Sequence, residues 1–333
     1  METLAVLMPD RTFDELFTPA CLRELTRLGG GAPIRSDSLD GLKAHPQVAD
    51  VSVVVSSWGT PRLSPDLLTH CPDLKLVAHC AGTLRSILDP ALLDAGVRAT
   101  NSAAANAVPV AEFLLSWVLR WNKRLPYWER AYSAPEFFDT RRDGRMVHIG
   151  NREKTVGIVS ASRVGRRLAD LLRHFDLSVL IFDPYTSAER IAEMGATKVD
   201  LETLFERSDI VSINTPLLPE TVHMIGAEQL ASMPDDSLLI NTARGGVLDH
   251  DALLAEVGPG RLSAVLDVTE PEPLPTGSPF YTLPNVHLTP HVAGSLGSEV
   301  HRLAESAVGE IVRFVDGGRL LHEVTAANWE FSA

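Results

Sequence analysis

Thr155-Val-Gly-Ile-Val-Ser-Ala-Ser-Arg-Val-Gly165 is the stretch that decides the fold. An apolar, partly β-branched run passes into a short polar turn and then into a helical pattern, the strand, turn and helix order of a dinucleotide-binding sheet. In the G-x-G-x-x-G pattern of such turns, the first two glycines fall at Ser160 and Ser162, and only the third, Gly165, is present. The second glycine normally lets the backbone approach a pyrophosphate, so Ser162 adds a side chain where room is short. Two readings stand for the serines: hydroxyl donors to phosphate at a helix N-terminus, or a weakened dinucleotide grip. Asp183 ends the next apolar run eighteen positions after Gly165, near the ~20-residue spacing of a ribose-binding carboxylate. Such a charge repels a 2′-phosphate, so NAD is expected over NADP. The competing role for Asp183 is to cap the turn before Pro184.

Working outward, apolar runs at residues 155–160, 178–183, 209–215, 237–242, 262–268 and 286–289 predict six strands of a doubly wound parallel sheet. A second series at 4–8, 51–55 and 74–79, with a helix-period stretch at 13–28, predicts another α/β unit. Between them, 106–124 reads as a helix whose Pro109 suits a first turn, with Trp117 and Trp121 on one face. Such a face is either core or interface. Val300, Leu303, Ala304, Ala307, Val308, Ile311, Val312 and Val315 keep the 3.6-residue period of a final packed helix, and 274–279 reads as loop.

A chain of 333 residues suggests about two domains. A net charge of −13 without a basic run makes nucleic acid an unsuitable partner. The N-terminus does not read as a secretory signal, and no run reaches the roughly 18 apolar residues of a membrane span. Cys21, Cys71 and Cys80 are widely spaced and form no C-x-x-C pair, the usage of buried, reduced thiols in cytoplasm.

Three further segments put polar residues at the ends of apolar runs, where ligands gather in open α/β sheets. They are Ile240-Asn-Thr-Ala-Arg-Gly-Gly-Val-Leu-Asp249, Ala264-Val-Leu-Asp-Val-Thr-Glu-Pro-Glu-Pro-Leu274 and Leu288-Thr-Pro-His-Val-Ala-Gly294. Taken singly, Arg244 is also readable as a surface ion pair, Glu272 as a solvated loop charge and His291 as a turn residue. His287 and His291 have the spacing of a helical metal pair, but Thr289-Pro290 between them argues against a helix and no third ligand is evident, so no metal is expected.

Together with Asn214-Thr-Pro-Leu217, these segments make the chain resemble the D-isomer-specific 2-hydroxyacid dehydrogenase family from about residue 74 to 316. The resemblance implies two Rossmann-like or flavodoxin-like parallel-sheet domains. Residues 1–104 and 293–333 would form the substrate domain, with an NAD-binding domain at 105–292 inserted into it and catalysis in the cleft between. It implies hydride transfer between NAD and a small 2-hydroxy or 2-oxo acid, with Arg244 on the substrate, His291 as acid/base and Glu272 orienting it. Such chemistry suits these side chains. A guanidinium clamps a carboxylate, and a histidine carries a proton near neutral pH. The resemblance also implies that Ser160, Ser162, Arg163, Val164, Gly165, Asp183, Thr215, Pro216, Ala243, Arg244, His291 and Gly294 line the cofactor site. Asp267 would bond the nicotinamide carboxamide. At the end of an apolar strand, Asp267 also requires a partner.

In the first domain, Cys80-Ala-Gly-Thr-Leu-Arg-Ser-Ile87 stands where relatives carry a glycine-rich loop holding the substrate carboxylate. Ala81, Gly82 and Thr83 fit that role, whereas Leu84 to Ile87 depart from it. Arg85 is open between a second anion contact and an exposed charge. Asn101-Ser-Ala-Ala-Ala-Asn-Ala-Val-Pro-Val-Ala-Glu112 resembles the family's crossing between domains, and the region 106–124 that follows implies a homodimer interface. The rival expectation, from the serines of the turn, is an NAD-sensing, non-catalytic or corepressor-like protein on the same fold.

Overall fold

The structure, a computed structural model, describes residues 2–132 and 149–331. Its chain divides into two compact units, one of residues 1–107 and 295–333, the other of residues 108–294.

Among the described residues, the first unit is built on a six-stranded sheet. Its strands are β1 (Thr3–Leu7), β2 (Ile34–Ser36), β3 (Val51–Ser56), β4 (Leu76–His79), β5 (Arg98–Asn101) and β13 (Glu323–Val324), in the order β13-β5-β4-β3-β1-β2. All pairings are parallel except that of β13 with β5. Every residue of β3 is buried, as expected of a parallel strand covered on both faces. On one face the helix His301–Val315 seats Leu303, Ala304, Ala307, Val308 and Ile311 against Val53, Val55, Leu76 and Ala78. Each fully buried leucine there contributes about 1.5–3 kcal/mol. The stretch 13–28 forms two helices, Asp10–Leu16 and Pro19–Gly29, because Thr18 accepts from the Cys21 amide and Pro19 opens a new first turn.

Among its described residues the second unit carries seven parallel strands: β6 (Lys154–Val159), β7 (Leu177–Phe182), β8 (Thr197–Lys198), β9 (Ile210–Ile213), β10 (Leu238–Asn241), β11 (Ser263–Leu266) and β12 (Val286–Leu288). Their order is β12-β11-β10-β9-β6-β7-β8. The chain leaves β6 towards β7 on one side and returns to β9 on the other, so the carboxyl ends of β6 and β9 flank a topological switch point. The six strands predicted for this unit are present, and β8 adds an edge.

The helix Ala103–Asn122 begins six residues before Pro109, which therefore lies inside it and not in its first turn. Asn101 Oδ1 accepts from the Ala103 amide, and the Asn106 amide reaches the Ser102 carbonyl, so the helix starts at the end of β5. Trp121 is buried in the core of the second unit, and Trp117 packs on the same cluster with its ring 4.9 Å from that of His287.

Candidate active site

At the carboxyl end of β6 the chain turns on Ser160, whose φ of 79° lies in the left-handed region that favours glycine. Ser162 Oγ then caps the helix Arg163–Leu172 by accepting from the Gly165 amide at 3.3 Å. A Cβ on Gly165 would sit 2.1 Å from the Ser160 carbonyl oxygen, which explains why this glycine alone of the three is kept. First-turn amides have no intrahelical partner, so those of Arg163 and Val164 are available to a ligand or to water.

Asp183, directly after β7, has a carboxylate already surrounded by the protein. Oδ1 accepts from the amides of Tyr185 at 2.9 Å and Thr186 at 2.8 Å. Oδ2 accepts from the Ala161 amide at 2.8 Å and the Ser160 hydroxyl at 3.3 Å. Burial acts to raise this carboxyl, and the hydrogen bonds from Ala161, Tyr185 and Thr186 outweigh it, holding it below the usual carboxylate range. The Ser160 hydroxyl therefore points at Asp183, and Asp183 braces the turn that lacks its glycines. Directly after β9, beside β6, the Asn214 amide donates to the Val159 carbonyl at 3.0 Å. Thr215 and Pro216 follow it at the same sheet edge, Thr215 buried and the Pro216 carbonyl accepting from Thr221 Oγ1 at 2.7 Å. Outward amides at a helix N-terminus, a close-approach glycine and a charged carboxylate at the next strand end fit a dinucleotide.

The remaining residues of this unit occupy the carboxyl ends of β10, β11 and β12. Asn241 shapes the first turn: its Oδ1 accepts from the Ala243 amide and its Nδ2 donates to the Arg244 carbonyl, both at 3.0 Å. Arg244 Nη1 donates to the Ala243 carbonyl at 2.6 Å. Gly245 and Gly246 follow because a Cβ at either would lie 2.1 Å from the Thr269 carbonyl oxygen or 2.3 Å from Glu270 Oε2. The Arg244 turn is thereby packed on the segment that leads to Glu272.

Asp267 finds the partner its burial demands. Oδ1 accepts from Thr289 Oγ1 at 2.6 Å and the Val292 amide at 2.8 Å, and Oδ2 from the Ala293 amide at 2.9 Å. Its carbonyl accepts from the His291 amide at 3.0 Å. His291 is thus gripped on both sides in a left-handed conformation, φ 56°, which a non-glycine residue holds only when its surroundings impose it. Its Nδ1 meets Glu272 Oε1 at 2.7 Å, with both side chains about half exposed. Gly294 closes this segment three residues on. Arg244, Glu272 and His291 are therefore brought to one sheet edge, with Asp267 as the brace that links two of their strands.

Ala81, Gly82 and Thr83 lie in the other unit, after β4. The Ala81 carbonyl accepts from the Ser102 amide at 2.9 Å, and Thr83 Oγ1 accepts from the Arg85 amide at 3.3 Å. Arg85 reaches the Glu330 carboxylate at 3.2 Å and also the Glu330 carbonyl, so its charge is met by the C-terminal segment. Beneath the loop sits His79, only 2% exposed, with Nδ1 3.1 Å from Ser56 Oγ. Burial pushes its ring down to about 4, against the opposing pull of the Thr83 and Ser56 carbonyls. His79 and Asn241 were not singled out in the sequence. The signal available was a polar residue at the end of an otherwise apolar strand, the one that flagged Asp267.

The family model described as D-isomer specific 2-hydroxyacid dehydrogenase, NAD binding domain, matches residues 115–293. The chain is 32% identical over 262 residues to a glyoxylate reductase of Aeropyrum pernix, covering 78% of each. It is 30% identical to a D-3-phosphoglycerate dehydrogenase of Methanocaldococcus jannaschii over 84% of this chain and 52% of that one, so it spans about half the length of that relative. Apo D-mandelate dehydrogenase of Rhodotorula graminis superimposes with a TM-score of 0.81 at 27% identity, over 97% of this chain and 98% of the other. No helix among the described residues is long and apolar enough to cross a membrane. Two mostly parallel sheets, the braced histidine with its glutamate, and these likenesses agree, and the chain belongs to the D-isomer-specific 2-hydroxyacid dehydrogenase family.

Proposed function

We propose that the chain passes a hydride between NAD(H) and a small D-2-hydroxy acid or the corresponding 2-oxo acid. The observation that carries this reading is the 2.7 Å contact of His291 Nδ1 with Glu272, on a turn braced by Asp267. With Nδ1 held by the carboxylate, the ring tautomer and orientation are set, and Nε2 is the position that exchanges a proton with the substrate oxygen. In reduction His291 gives that proton to the carbonyl oxygen, and in oxidation it takes it back. Arg244 clamps the substrate carboxylate and polarises the carbonyl. NAD(H), when bound, supplies or accepts the hydride. The amides of Arg163 and Val164 with the Ser162 hydroxyl would hold its phosphates, Asp183 its ribose and Asp267 its carboxamide, with Thr215, Pro216, Ala243 and Gly294 completing the lining.

In this reading residues 108–294 are the nucleotide unit, and 1–107 with 295–333 the substrate unit. A second copy pairs through the helix Ala103–Asn122, whose Phe113, Leu115 and Trp117 are only partly buried. The three free, buried cysteines support a reducing, cytoplasmic setting. A sensing role without catalysis is not favoured, because it has no need of the Glu272 and His291 pair. The test is NADH oxidation against a panel of 2-oxo acids, with His291→Gln as control. Turnover lost in that variant while NADH still binds supports the reading, and NADH binding with no acid reduced by the parent chain overturns it.

A further inference from the structure

Arg85 stands on the loop that leaves β4, and the residue that meets its charge lies 245 positions further along the chain. Its Nη2 donates to the Glu330 carboxylate at 3.2 Å and also to the Glu330 carbonyl. Its Nε is buried and, among the described residues, has no hydrogen-bond partner. The guanidinium has thus given up water on one edge and is held by Glu330 on the other. Beside Glu330, Trp329 packs on the core that contains Leu84, Ile87 and Leu88. An ionic and an apolar tie therefore run from the stretch Ala326–Phe331 to this loop and to the core beneath it.

The stretch is anchored at its root. Arg98 donates to both Glu323 carboxylate oxygens, at 2.7 and 3.0 Å, and Asn328 Nδ2 donates to the Glu323 carbonyl at 3.0 Å. The loop, by contrast, is held unevenly. Its far half is fixed: Leu84, Ile87 and Leu88 are buried, the Ile87 carbonyl accepts from the Leu63 amide at 2.6 Å, and the Asp89 amide donates to the Leu63 carbonyl at 2.8 Å. Ala81 is fixed at the near end by the Ser102 amide. Between these anchors Gly82 and Thr83 are part-exposed, and among the described residues no acceptor meets the amides of Gly82, Thr83 and Leu84. A row of open amides attracts an anionic group, and this one lies at the carboxyl end of a parallel strand, where open α/β sheets take ligands. Its aim depends on two ties. From beneath, the buried His79 ring is drawn to the Thr83 carbonyl, and from outside Glu330 holds Arg85.

We infer that Ala326–Phe331 is a strap that sets the aim of the Gly82, Thr83 and Leu84 amides for the anionic group of the substrate, with Glu330 and Arg85 as its clasp. Both are positioning residues, and the inference rests on the reading given under Proposed function. The side chains of Arg85 and Glu330 are 35% and 68% exposed, and an open pair of this kind biases a loop by up to about fivefold. The sign of the effect separates this role from a direct one. If Arg85 itself bound the substrate, releasing it from Glu330 would improve binding, whereas a clasp that is released lets the amides drift and weakens it.

The test measures KM and kcat at saturating NADH for the 2-oxo acid that the parent chain reduces best. It uses the parent, Glu330→Gln, Arg85→Gln and the double variant. KM should rise about fivefold in each single variant and no further in the double one, with kcat within about twofold throughout. Amide hydrogen exchange, followed without substrate or cofactor, gives a readout independent of turnover. The amides of Arg85, Ile87 and Leu88 should exchange faster in both single variants, while the urea midpoint of the first unit stays close to that of the parent. A lower KM in Glu330→Gln, additive effects in the double variant, or exchange at these amides equal to that of the parent overturns the inference. Failure of every 2-oxo acid with the parent chain overturns the underlying reading instead, and the exchange rates then still decide whether the clasp holds the loop.

Discussion

Lowering the pH from 7 to 5 strips stability from the first unit through one imidazole, His79. Above pH 6.5 the ring is neutral in folded and unfolded chains alike and contributes nothing to the pH dependence. Between 6.5 and about 4 the unfolded chain takes up a proton that the buried ring refuses, so stability falls as the pH falls. Below about 4 both states are protonated and the slope from this group vanishes. At about 1.4 kcal/mol per pH unit the full loss is about 3 kcal/mol, and at pH 5 about 2 kcal/mol of it has been incurred. No charged group contributes to the depression, which comes from burial, so added salt should leave it nearly unchanged. The assay is urea unfolding at pH 7, 6 and 5 for the parent chain and His79→Gln, whose amide can still reach Ser56 Oγ. His250, which burial also depresses, is present in both chains and cancels. The parent should lose about 2 kcal/mol more than the variant between pH 7 and pH 5. Parallel curves would show that the ring titrates normally and that the support beneath the Ala81 loop has been misread.

Three further outcomes follow from the geometry. Glu272→Gln should leave NADH affinity within about twofold and reduce kcat by roughly 10²- to 10⁴-fold, read by steady-state kinetics, because the tautomer of His291 is no longer enforced. Ser160→Gly removes a left-handed serine, a conformation that costs about 1–2 kcal/mol, and should raise the melting temperature of the second unit by calorimetry. It should also tighten NADH in a titration, and weaker binding would instead mean that the hydroxyl serves a phosphate. Glu310 is fully buried and holds Arg313 at 2.7 Å and the amides of Leu321 and His322 at 2.9 and 3.3 Å. Glu310→Ala should destabilise the first unit by about 3 kcal/mol in chemical denaturation, and a loss under 1 kcal/mol would contradict the role given to it.

In the second unit β9, β10 and β11 were legible because both faces are buried, which turns each into an apolar run ending at a polar residue. Those missed had no such run. β2, β8 and β13 have three residues or fewer, and β5 reads Arg-Ala-Thr-Asn. Pro109 misled the reading of its helix, since the signals that start it are Asn101 and Ser102 and become caps only once β5 has ended beside them. Site residues were legible as chemical types in motif order. Their supports were not, because hydrogen-bond partners are set by the fold. The need of Asp267 for a partner is visible in its strand, but Thr289, Val292 and Ala293 become that partner only when β11 and β12 pair. For Arg85 the partner is Glu330, far along the chain, which no local pattern announces.

The division of the first unit between the two ends of the chain sets an order of events during synthesis. Leu4, Val6, Val53, Val55, Leu76 and Ala78 leave the ribosome long before Leu303, Ala304 and Ile311, with which they share a core. Until those late residues emerge, one face of the early sheet has no cover and exposes the apolar surface that invites association. The second unit, continuous in sequence, can close first. The helix His301–Val315 is then the step that shields the earliest strands, and a chain halted before residue 301 would leave that face of the sheet bare.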